Sequence, residues 1–313
     1  MVQFTKTALW RISPRILDLV APAHRGQTFS IGIYTGDSPL ALVDPAEVNN
    51  PVLTRKQVTD VPAAFVADPF MMQRDGHWYM FMEVFNRLNY RGEIGVATSE
   101  DGLNWQYQRV VLREPFHLAY PCVLSCEDQT YMIPDTPGRG ARLYRASGFP
   151  YRWEFVRELL SDPCLCDSTV FRHHERWWML TGWIPQPGES VSLRLFSADA
   201  LAGDWQEHPA SPLLTRCVER ARPAGPIIDV GSRIFRLAQD GTPYYGSRVR
   251  AFEILELTET TYREAPVEAN IVVQSGDRHW NSGGMHHVHA HAADGRWIAC
   301  VDGWYPADSD AGA

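Results

Sequence analysis

Short runs of alternating hydrophobic and polar residues, separated by turns rich in Gly, Asp and Asn, recur along most of the chain. Five of them share a polar turn followed by an apolar anchor: "RDGHWYMFMEVF", "EDQTYMIPDT", "HERWWMLTGW", "VGSRIFRLAQD" and "ADGRWIACVDGW". The anchors are Trp78, Tyr131, Trp177, Ile234 and Trp297. Alternation with period two predicts β-strands, and the spacing of about 50 residues indicates a structural repeat.

Each anchor strand is flanked by further predicted strands. Before the anchors stand "FVADPFMMQ", "YPCVLSCE", "DSTVFRHH", "RPAGPIIDV" and "MHHVHAHAA"; after the first four come a strand, a polar turn, an aromatic residue and another strand. Long helical periodicity is absent. Four short strands per repeat are typical of the blades of a β-propeller. The sequence therefore predicts an all-β fold, a five-bladed β-propeller.

The fifth repeat is incomplete, because the chain ends soon after "CVDGWYPADSD". The segment "TFSIGIYTGDSPLALVDP" at 28–45 has the strand–turn–strand pattern of the missing outer strands. We therefore expect the N-terminal strands to pair with the last blade and close the ring, which removes exposed sheet edges. The predicted organisation is an N-terminal extension over 1–27 and a single propeller domain over 28–313.

Composition narrows the class of partner. The chain has 313 residues, 45% of them hydrophobic, and a formal net charge of −8, which argues against a nucleic-acid surface. Its six cysteines show no CxxC spacing, and the N-terminal segment lacks the apolar run and cleavage site of a signal peptide. No apolar stretch is long enough to span a membrane. We expect a cytoplasmic protein with a small-molecule or glycan substrate and no nucleic-acid or membrane partner.

In a propeller the innermost strands line the central channel, and their ends point into a funnel. The residues predicted to reach it from the inner strands are Asp68, His117, Tyr120, Asp167, Arg222, His286 and His287. The ends of the second strands add Glu83, Asp135, Gln239, Asp240 and Asp302. Trp183 lies at a strand end, where an indole ring can stack on a sugar face. This polar set comes from all five repeats.

The motifs "FVADPF", "HLAYPCVL", "YMIPDT", "CDSTVF", "RPAG", "LAQD" and "GMHHVHAH" followed by "GRWIACVDG" carry a family resemblance. The chain resembles, from about residue 28 to 305, the propeller domain at the N-terminus of plant glucosamine inositolphosphorylceramide transferases and its bacterial relatives. More distantly it is similar to the five-bladed glycoside hydrolases of the arabinanase/xylosidase type (family 43-like). That likeness implies a general base at Asp68 and an orienting, pKa-tuning carboxylate at Asp167.

The fourth repeat departs from the hydrolase pattern. Where the resemblance implies a Glu as general acid, the sequence reads "ERARPAG", with Arg222 at the inner position. A guanidinium does not release its proton near neutral pH. Glu219, Glu83 or Asp135 could take the acid role, or ordinary hydrolysis is lost.

Four histidines lie within "HHVHAH" at 286–291. Strand alternation would put His287, His289 and His291 on one face, but spread over about 13 Å, too far for one ion. We predict that His287 lies beside Asp68 or Asp167 with a raised pKa as a proton carrier, and that His291 packs between blades. No cofactor is expected to be required. The hydrolase likeness implies a structural cation in the channel, for which His287 or His289 is the candidate ligand, with His289 preferred.

Three functions stay open at this stage. The first is a carbohydrate-active enzyme with acid/base carboxylates, resembling a glycoside hydrolase or transferase. The second is a tailoring enzyme of specialised metabolism (cyclase, lyase or acyl transferase) that uses Arg, His and carboxylate groups on an anionic substrate. The third is a non-catalytic glycan-binding module that partners a separate transferase.

Overall fold

The computed structural model describes residues 26–306, and within that range the chain is almost entirely β-structure. It comprises 21 strands and one short 3₁₀ turn, His279–Asn281, arranged as five antiparallel sheets. No helix in the described part of the chain is long and apolar enough to cross a membrane. The five sheets are the blades of a five-bladed β-propeller, as the repeat predicted.

Blade five joins the two ends of the described chain. From the outside inwards it contains β2 (Ala41–Val43), β1 (Gln27–Ser38), β21 (Arg296–Pro306) and β20 (Gly284–Ala293). The register of β1 against β21 runs without a break from the pair Gln27 and Pro306 to the pair Gly36 and Trp297. The predicted closure of the ring by the N-terminal strands is therefore confirmed. Nearly all of the predicted extension 1–27 lies outside the described residues.

The other four blades follow in chain order, each with its first strand innermost. Blade one consists of β3 to β6, with bounds Ala63–Arg74, His77–Asn86, Arg91–Ser99 and Gln106–Leu112. Blade two consists of β7 to β10, with bounds Ala119–Cys126, Gln129–Asp135, Ala141–Gly148 and Arg152–Leu160. Blade three consists of β11 to β14, with bounds Leu165–His173, Arg176–Trp183, Ser192–Ala198 and Gln206–Glu207. Blade four consists of β15 to β19, with bounds Arg222–Pro223, Ile228–Val230, Arg233–Asp240, Arg248–Leu257 and Tyr262–Gln274.

The hydrophobic core is divided among the contacts between adjacent blades. The anchors Trp78, Trp177 and Ile234 are buried in three separate clusters, between blades five and one, two and three, and three and four. Apolar side chains on each sheet face interdigitate with those of the next blade, which is why every anchor strand is hydrophobic on both faces. The blades are consequently stacked around the channel, and their inner strand ends meet at its mouth.

A β-bulge interrupts three of the inner strands at the same place. Asp68, Tyr120 and Asp167 all have a positive φ, of 50°, 43° and 51°, and each lies where the register of the inner strand shifts against the second strand. A bulge bends the strand and redirects one side chain. Positive φ is uncommon outside glycine and concentrates at functional sites. The repeat thus positions these three residues as equivalents.

Candidate functional site

A funnel-shaped cavity of about 400 Å³ opens where the inner strands end. Its polar wall is formed by Asp68, Glu83, His117, Asp135, Asp167, Arg222 and His286. Its aromatic wall is formed by Phe29, Phe65, Phe85 and Tyr245. A concave site with ring surfaces and a few convergent polar groups is the usual form of a small-molecule site. Seven predicted site residues therefore come together here from separate repeats.

Two of the carboxyl groups occupy equivalent positions on second strands. Glu83 pairs with Ala67 across β3 and β4, and Asp135 pairs with Ala119 across β7 and β8. Each of these pairs immediately precedes a bulge, so the second-strand carboxyl group lies beside the redirected inner-strand residue. The third repeat has Gly182 at this position, paired with Cys166, and contributes no side chain there.

The carboxylates also bind the backbone of the following blade. Asp302 Oδ2 accepts the N–H of Asp68 at 2.9 Å, and Asp68 Oδ2 accepts the N–H of Tyr120 at 3.2 Å. Asp135 likewise accepts the N–H of Asp167. Three bulged residues are thus each held by a carboxyl group of the preceding blade. These interactions fix the strained backbone and the funnel geometry together.

Crowding of buried carboxyl groups sets their protonation. Burial, together with the nearby charges of Asp167 and Asp302, raises the pKa of Asp68 to about 7, although His286 opposes the shift. Burial and Asp167 raise the pKa of Asp135 to about 8. Burial and the neighbouring carboxylates raise the pKa of Glu83 well above its ordinary value. At neutral pH the funnel therefore contains protonated and ionised carboxyl groups side by side, the arrangement that acid/base catalysis requires.

The Arg222 guanidinium neutralises the charge of one funnel carboxylate, that of Asp167. Its Nε donates to Asp167 Oδ2 at 2.5 Å, and Gln239 Nε2 donates to the same oxygen at 3.0 Å. The guanidinium lies 5.1 Å from the centre of the Tyr245 ring. Asp167 therefore forms an ion pair with Arg222. Arg222 occupies the position at which the hydrolase resemblance implied an acid.

Glu83 has the least constrained carboxyl group of the set. Its Oε1 is buried and accepts no hydrogen bond from any described residue, and His117 Nε2 lies 3.4 Å away. Burial lowers the pKa of His117, which keeps the ring neutral. Because His117 Nδ1 accepts the N–H of Gly92 at 2.9 Å, the ring proton must be on Nε2, facing Glu83. A Cβ at Gly92 would lie 2.1 Å from the Leu118 carbonyl oxygen, so only glycine allows this approach.

The histidine cluster divides into one funnel residue and three that lie elsewhere. His286 lines the funnel, stacks on Phe29 at 4.5 Å and donates from Nδ1 to Asp302 at 2.8 Å. Burial alone would lower the pKa of His286, but Asp302 raises it. His289 Nδ1 accepts the N–H of Met71 at 3.2 Å, and His291 Nε2 donates to the Met71 carbonyl at 2.8 Å. These last two rings pack against β3 of blade one, as predicted for His291.

His287 differs from its prediction. Its Nδ1 lies 3.9 Å from Asp68 Oδ1, so the expected proximity is observed, but the ring is fully buried below the funnel against Phe70 and Tyr120. Burial outweighs the attraction of Asp302 and lowers the pKa of His287 to about 4. The predicted raised pKa was wrong, because a ring without solvent or a hydrogen-bonded anion favours the neutral form.

Five further candidates lie away from the funnel wall. The Tyr120 hydroxyl is fully buried and bonds Thr169 and Gly225. Gln239 lines a separate cavity of about 260 Å³, behind Arg222 and Tyr245. Trp183 donates from its indole to Asp162 at 3.0 Å, and Asp240 is held by Arg250 at 2.8 Å. Glu219 is exposed. Tyr120 and Gln239, predicted to reach the funnel, and Trp183, predicted to offer its ring to a sugar, therefore do not line the funnel.

One group within residues 26–306 has ligand atoms close enough for a metal ion. Atoms of Asp68, His286 and Asp302 lie within 4.8 Å of one another, whereas His289 is not part of this group. Burial would raise the pKa of Asp302, but His286 and several hydrogen bonds lower it. A hard cation would find two carboxylate ligands here. The expected ligand His289 packs against β3 of blade one instead.

We expect Asp135→Asn to raise the melting temperature by several degrees at pH 8, with little change at pH 4. The Asp135 pKa is raised on folding, so between pH 4 and 8 the unfolded chain releases a proton that the folded chain retains, and stability falls as pH rises. Asn keeps an acceptor oxygen for the Asp167 N–H but cannot ionise. Differential scanning fluorimetry across this pH range measures the effect; a variant less stable than wild type at both ends would contradict it.

The fold and the cavity define a five-bladed β-propeller with a carboxylate-lined central funnel. Among solved structures, it is similar to an exo-β-1,3-galactanase from Clostridium thermocellum, with a TM-score of 0.57 and 14% identity over 71% of this chain and 54% of that one. It is also similar to an exo-1,5-α-L-arabinanase from a bovine ruminal metagenomic library, with a TM-score of 0.55 and 18% identity over 78% of this chain and 89% of that one. At such identities the likeness shows the fold.

Sequence comparison gives the family. Residues 23–304 match the family model described as "Glucosamine inositolphosphorylceramide transferase 1, N-terminal". The chain is 33% identical over 298 residues to a glucosamine inositolphosphorylceramide transferase 1 of Oryza sativa subsp. japonica, and 31% identical over 301 residues to that of Arabidopsis thaliana, covering 88% of this chain in both cases. The chain belongs to this family. It spans 40% and 39% of the length of these two relatives.

Proposed function

We propose that the protein is a carbohydrate-active enzyme that binds a terminal sugar unit in the funnel. It breaks the glycosidic bond of that unit by carboxyl-group acid/base catalysis and passes the glycosyl group to water or to another acceptor. The observation that carries the proposal is the placement of Glu83 and Asp68 on one cavity wall, where burial raises the pKa of Glu83 well above its ordinary value and that of Asp68 to about 7. Glycoside chemistry needs one carboxyl group in each form. The names of the sequence relatives and of the structural neighbours, all on carbohydrates, support the substrate class.

The proposed roles follow from the contacts. Asp68 acts as the base, because its Oδ2 is anchored by the Tyr120 N–H while Oδ1 faces His286 at 3.9 Å. Glu83 acts as the acid, and the neutral His117 presents its Nε2–H toward Glu83 Oε1 from 3.4 Å. Arg222 and Asp167 form a fixed ion pair in the wall that orients the substrate through the guanidinium. The sugar ring stacks on the aromatic wall, since sugars present apolar C–H faces.

The test is a panel of aryl and alkyl glycosides and sugar nucleotides, assayed for turnover with the wild type and Glu83→Gln. For a glycoside with an alkoxide or sugar leaving group, the variant should lose about 10²-fold in kcat. A nitrophenolate leaves without protonation, so the loss on the aryl glycoside of the same sugar should be much smaller. Equal losses on both leaving groups would show that Glu83 is not the acid.

A second candidate function is a glycan-binding module. The family model is described as an N-terminal domain, and the chain covers 40% of its rice relative, so the propeller can serve as a recognition domain beside a separate transferase. The Arg222–Asp167 ion pair in place of an inner-strand acid favours binding over cleavage. Saturable binding of a glycan on the panel, without turnover of any member, would select this function.

A further inference from the structure

A second cavity borders the funnel on the side of blades three and four. This cavity, here named the annex, has a volume of about 260 Å³ and is open to solvent. It is lined by residues within 184–191, the connection between β12 and β13, and by residues within 218–245, around the inner strands of blade four. Arg222 and Tyr245 line both the annex and the funnel. The two cavities therefore have these two residues as a common wall.

Backbone hydrogen bonds hold the other walls of the annex in place. The Cys217 N–H donates to the Val191 carbonyl at 2.9 Å, which ties the segment before β15 to the blade-three connection. The Gly241 N–H donates to the Val218 carbonyl at 3.0 Å, which ties that segment to the end of β17. A cavity that is already formed requires little ordering when a ligand binds, so more of the contact energy contributes to affinity.

The common wall presents hydrogen-bond donors to a ligand. Arg222 donates from Nε to Asp167, and its guanidinium lies 5.1 Å from the centre of the Tyr245 ring, so two contacts fix its orientation. Within residues 26–306 its two Nη groups donate to no acceptor, and 24% of the side chain is exposed. Tyr245 is 42% exposed, so the protein does not cover the wall. A ligand that fills both cavities can therefore accept from the Nη groups where it passes Arg222.

The charges that line the annex are balanced by the protein itself. Asp167 neutralises Arg222, and Arg216 lies 3.3 Å from Glu189, the carboxylate that lines the annex. An anionic ligand would meet a carboxylate beside each of these cations, and the repulsion would offset the attraction. The annex therefore favours a neutral ligand over an acidic one.

The surface of the annex matches the chemistry of a sugar ring. Its polar side chains include a donor in Arg222, an acceptor in Glu189 and a hydroxyl group in Ser190. Its aliphatic side chains are Ile184, Val191 and Val218. Sugar hydroxyls both donate and accept hydrogen bonds, and the C–H faces of the ring are apolar. A neutral sugar satisfies both kinds of surface.

We propose that the annex binds a second, neutral sugar unit, the one linked to the sugar in the funnel, and that Arg222 donates to the ligand where it passes from one cavity to the other. This inference rests on the function proposed for the funnel and specifies its ligand as a neutral glycan of at least two units. Arg222 is then a specificity-determining residue, because it sets the length of glycan that binds best.

The dependence of affinity on ligand length tests the annex. Calorimetry on Asp68→Asn, which should consume the ligand slowly, would compare the methyl glycosides of galactose, arabinofuranose and glucose with the disaccharide of each sugar. For the sugar that binds, the disaccharide should bind about tenfold more tightly than the methyl glycoside. Equal affinities would overturn the annex and leave the function of the funnel standing. Failure of every methyl glycoside and disaccharide to bind would instead reject the function proposed for the funnel, and this inference with it.

Two matched substitutions assign the gain in affinity to the annex. Ser190 is exposed and lines the annex, so Ser190→Trp places an indole ring in the space of the second sugar. Added to Asp68→Asn, it should make the affinities for the methyl glycoside and the disaccharide equal. The control is Ser232→Trp, on the exposed turn between β16 and β17 and outside both cavities, which should keep the gain. A gain that persists in Ser190→Trp would overturn the assignment.

A charged second unit tests the preference for a neutral ligand. A disaccharide whose second sugar is the corresponding uronic acid should bind Asp68→Asn more weakly than the neutral disaccharide does, because its carboxylate meets those of Asp167 and Glu189. Tighter binding of the uronic acid would show that Arg222 recognises an anion, and it would overturn the assignment of a neutral sugar.

Discussion

Asp68→Asn is expected to lower kcat/KM on the cleaved glycoside by about 10³–10⁴-fold without lowering the melting temperature. Asn tolerates the positive φ of 50° at this position. Its side-chain oxygen can still accept the Tyr120 N–H that Asp68 accepts at 3.2 Å. The substitution therefore removes the base and leaves the bulge intact, so activity and stability separate.

The pH dependence of the wild type supplies the matching readout. Because the pKa of Asp68 is about 7, kcat/KM should rise as pH increases through neutrality, and it should fall at higher pH when Glu83 loses its proton. The residual activity of Asp68→Asn should lack the acidic limb. Asp68→Ala is the structural control, because it also removes the acceptor and should lose stability. Wild-type turnover in Asp68→Asn would reject Asp68 as the base.

Glu264→Ala should cost about 3–5 kcal/mol of unfolding free energy. Arg236 is 1% exposed, and its Nε and terminal nitrogen donate to the two oxygens of Glu264 at 2.8 and 2.7 Å. Removal of the carboxylate leaves a buried guanidinium whose remaining acceptors include the Arg220 carbonyl and the Tyr262 hydroxyl but no anion to balance its charge. The melting temperature should fall by roughly 6–12 °C.

A near-identical pair on the surface is the control. Arg233 lies on β17, the strand that carries Arg236, and it donates to both oxygens of Glu253 on β18 at 2.8 and 2.6 Å. The Arg233 side chain, however, is 57% exposed. Glu253→Ala should cost at most about 1 kcal/mol. Although burial opposes it, Arg236 lowers the pKa of Glu264, so the stabilisation from this carboxylate is present at neutral pH and lost in acid. Similar losses for both variants would show that burial does not set the cost.

The fold was predictable because the hydrophobic pattern of the strands repeats along the sequence. Apolar anchors at equivalent positions predicted the second strand of every blade, and the unfinished fifth repeat predicted the closure by β1 and β2. Asp68, Glu83, Asp135 and Asp167 could be placed in the funnel for the same reason, since Asp68 and Asp167 each precede their anchor by ten residues and Glu83 and Asp135 follow theirs by five and four.

The errors arise where the repeat is locally broken. The register shift between Gly284 and His287 turns His286, rather than His287, toward the funnel, and simple alternation cannot show a bulge. Tyr245 reaches the funnel from the loop after β17, outside the strand pattern, so no periodicity signals it. Phe29 comes from the opposite end of the sequence and enters the wall only because the ring closes.

The capture of one blade's backbone by the previous blade's carboxyl group has an evolutionary consequence. In a repeat fold each unit contacts only its neighbours, and here Asp302 holds Asp68 and Asp68 holds Tyr120 across two blade boundaries. A recombinant that replaced blade one alone would still offer a backbone N–H to Asp302, but it would lose the carboxylate that accepts the Tyr120 N–H. Blades one and two would therefore have to be exchanged together to preserve the bulge at Tyr120.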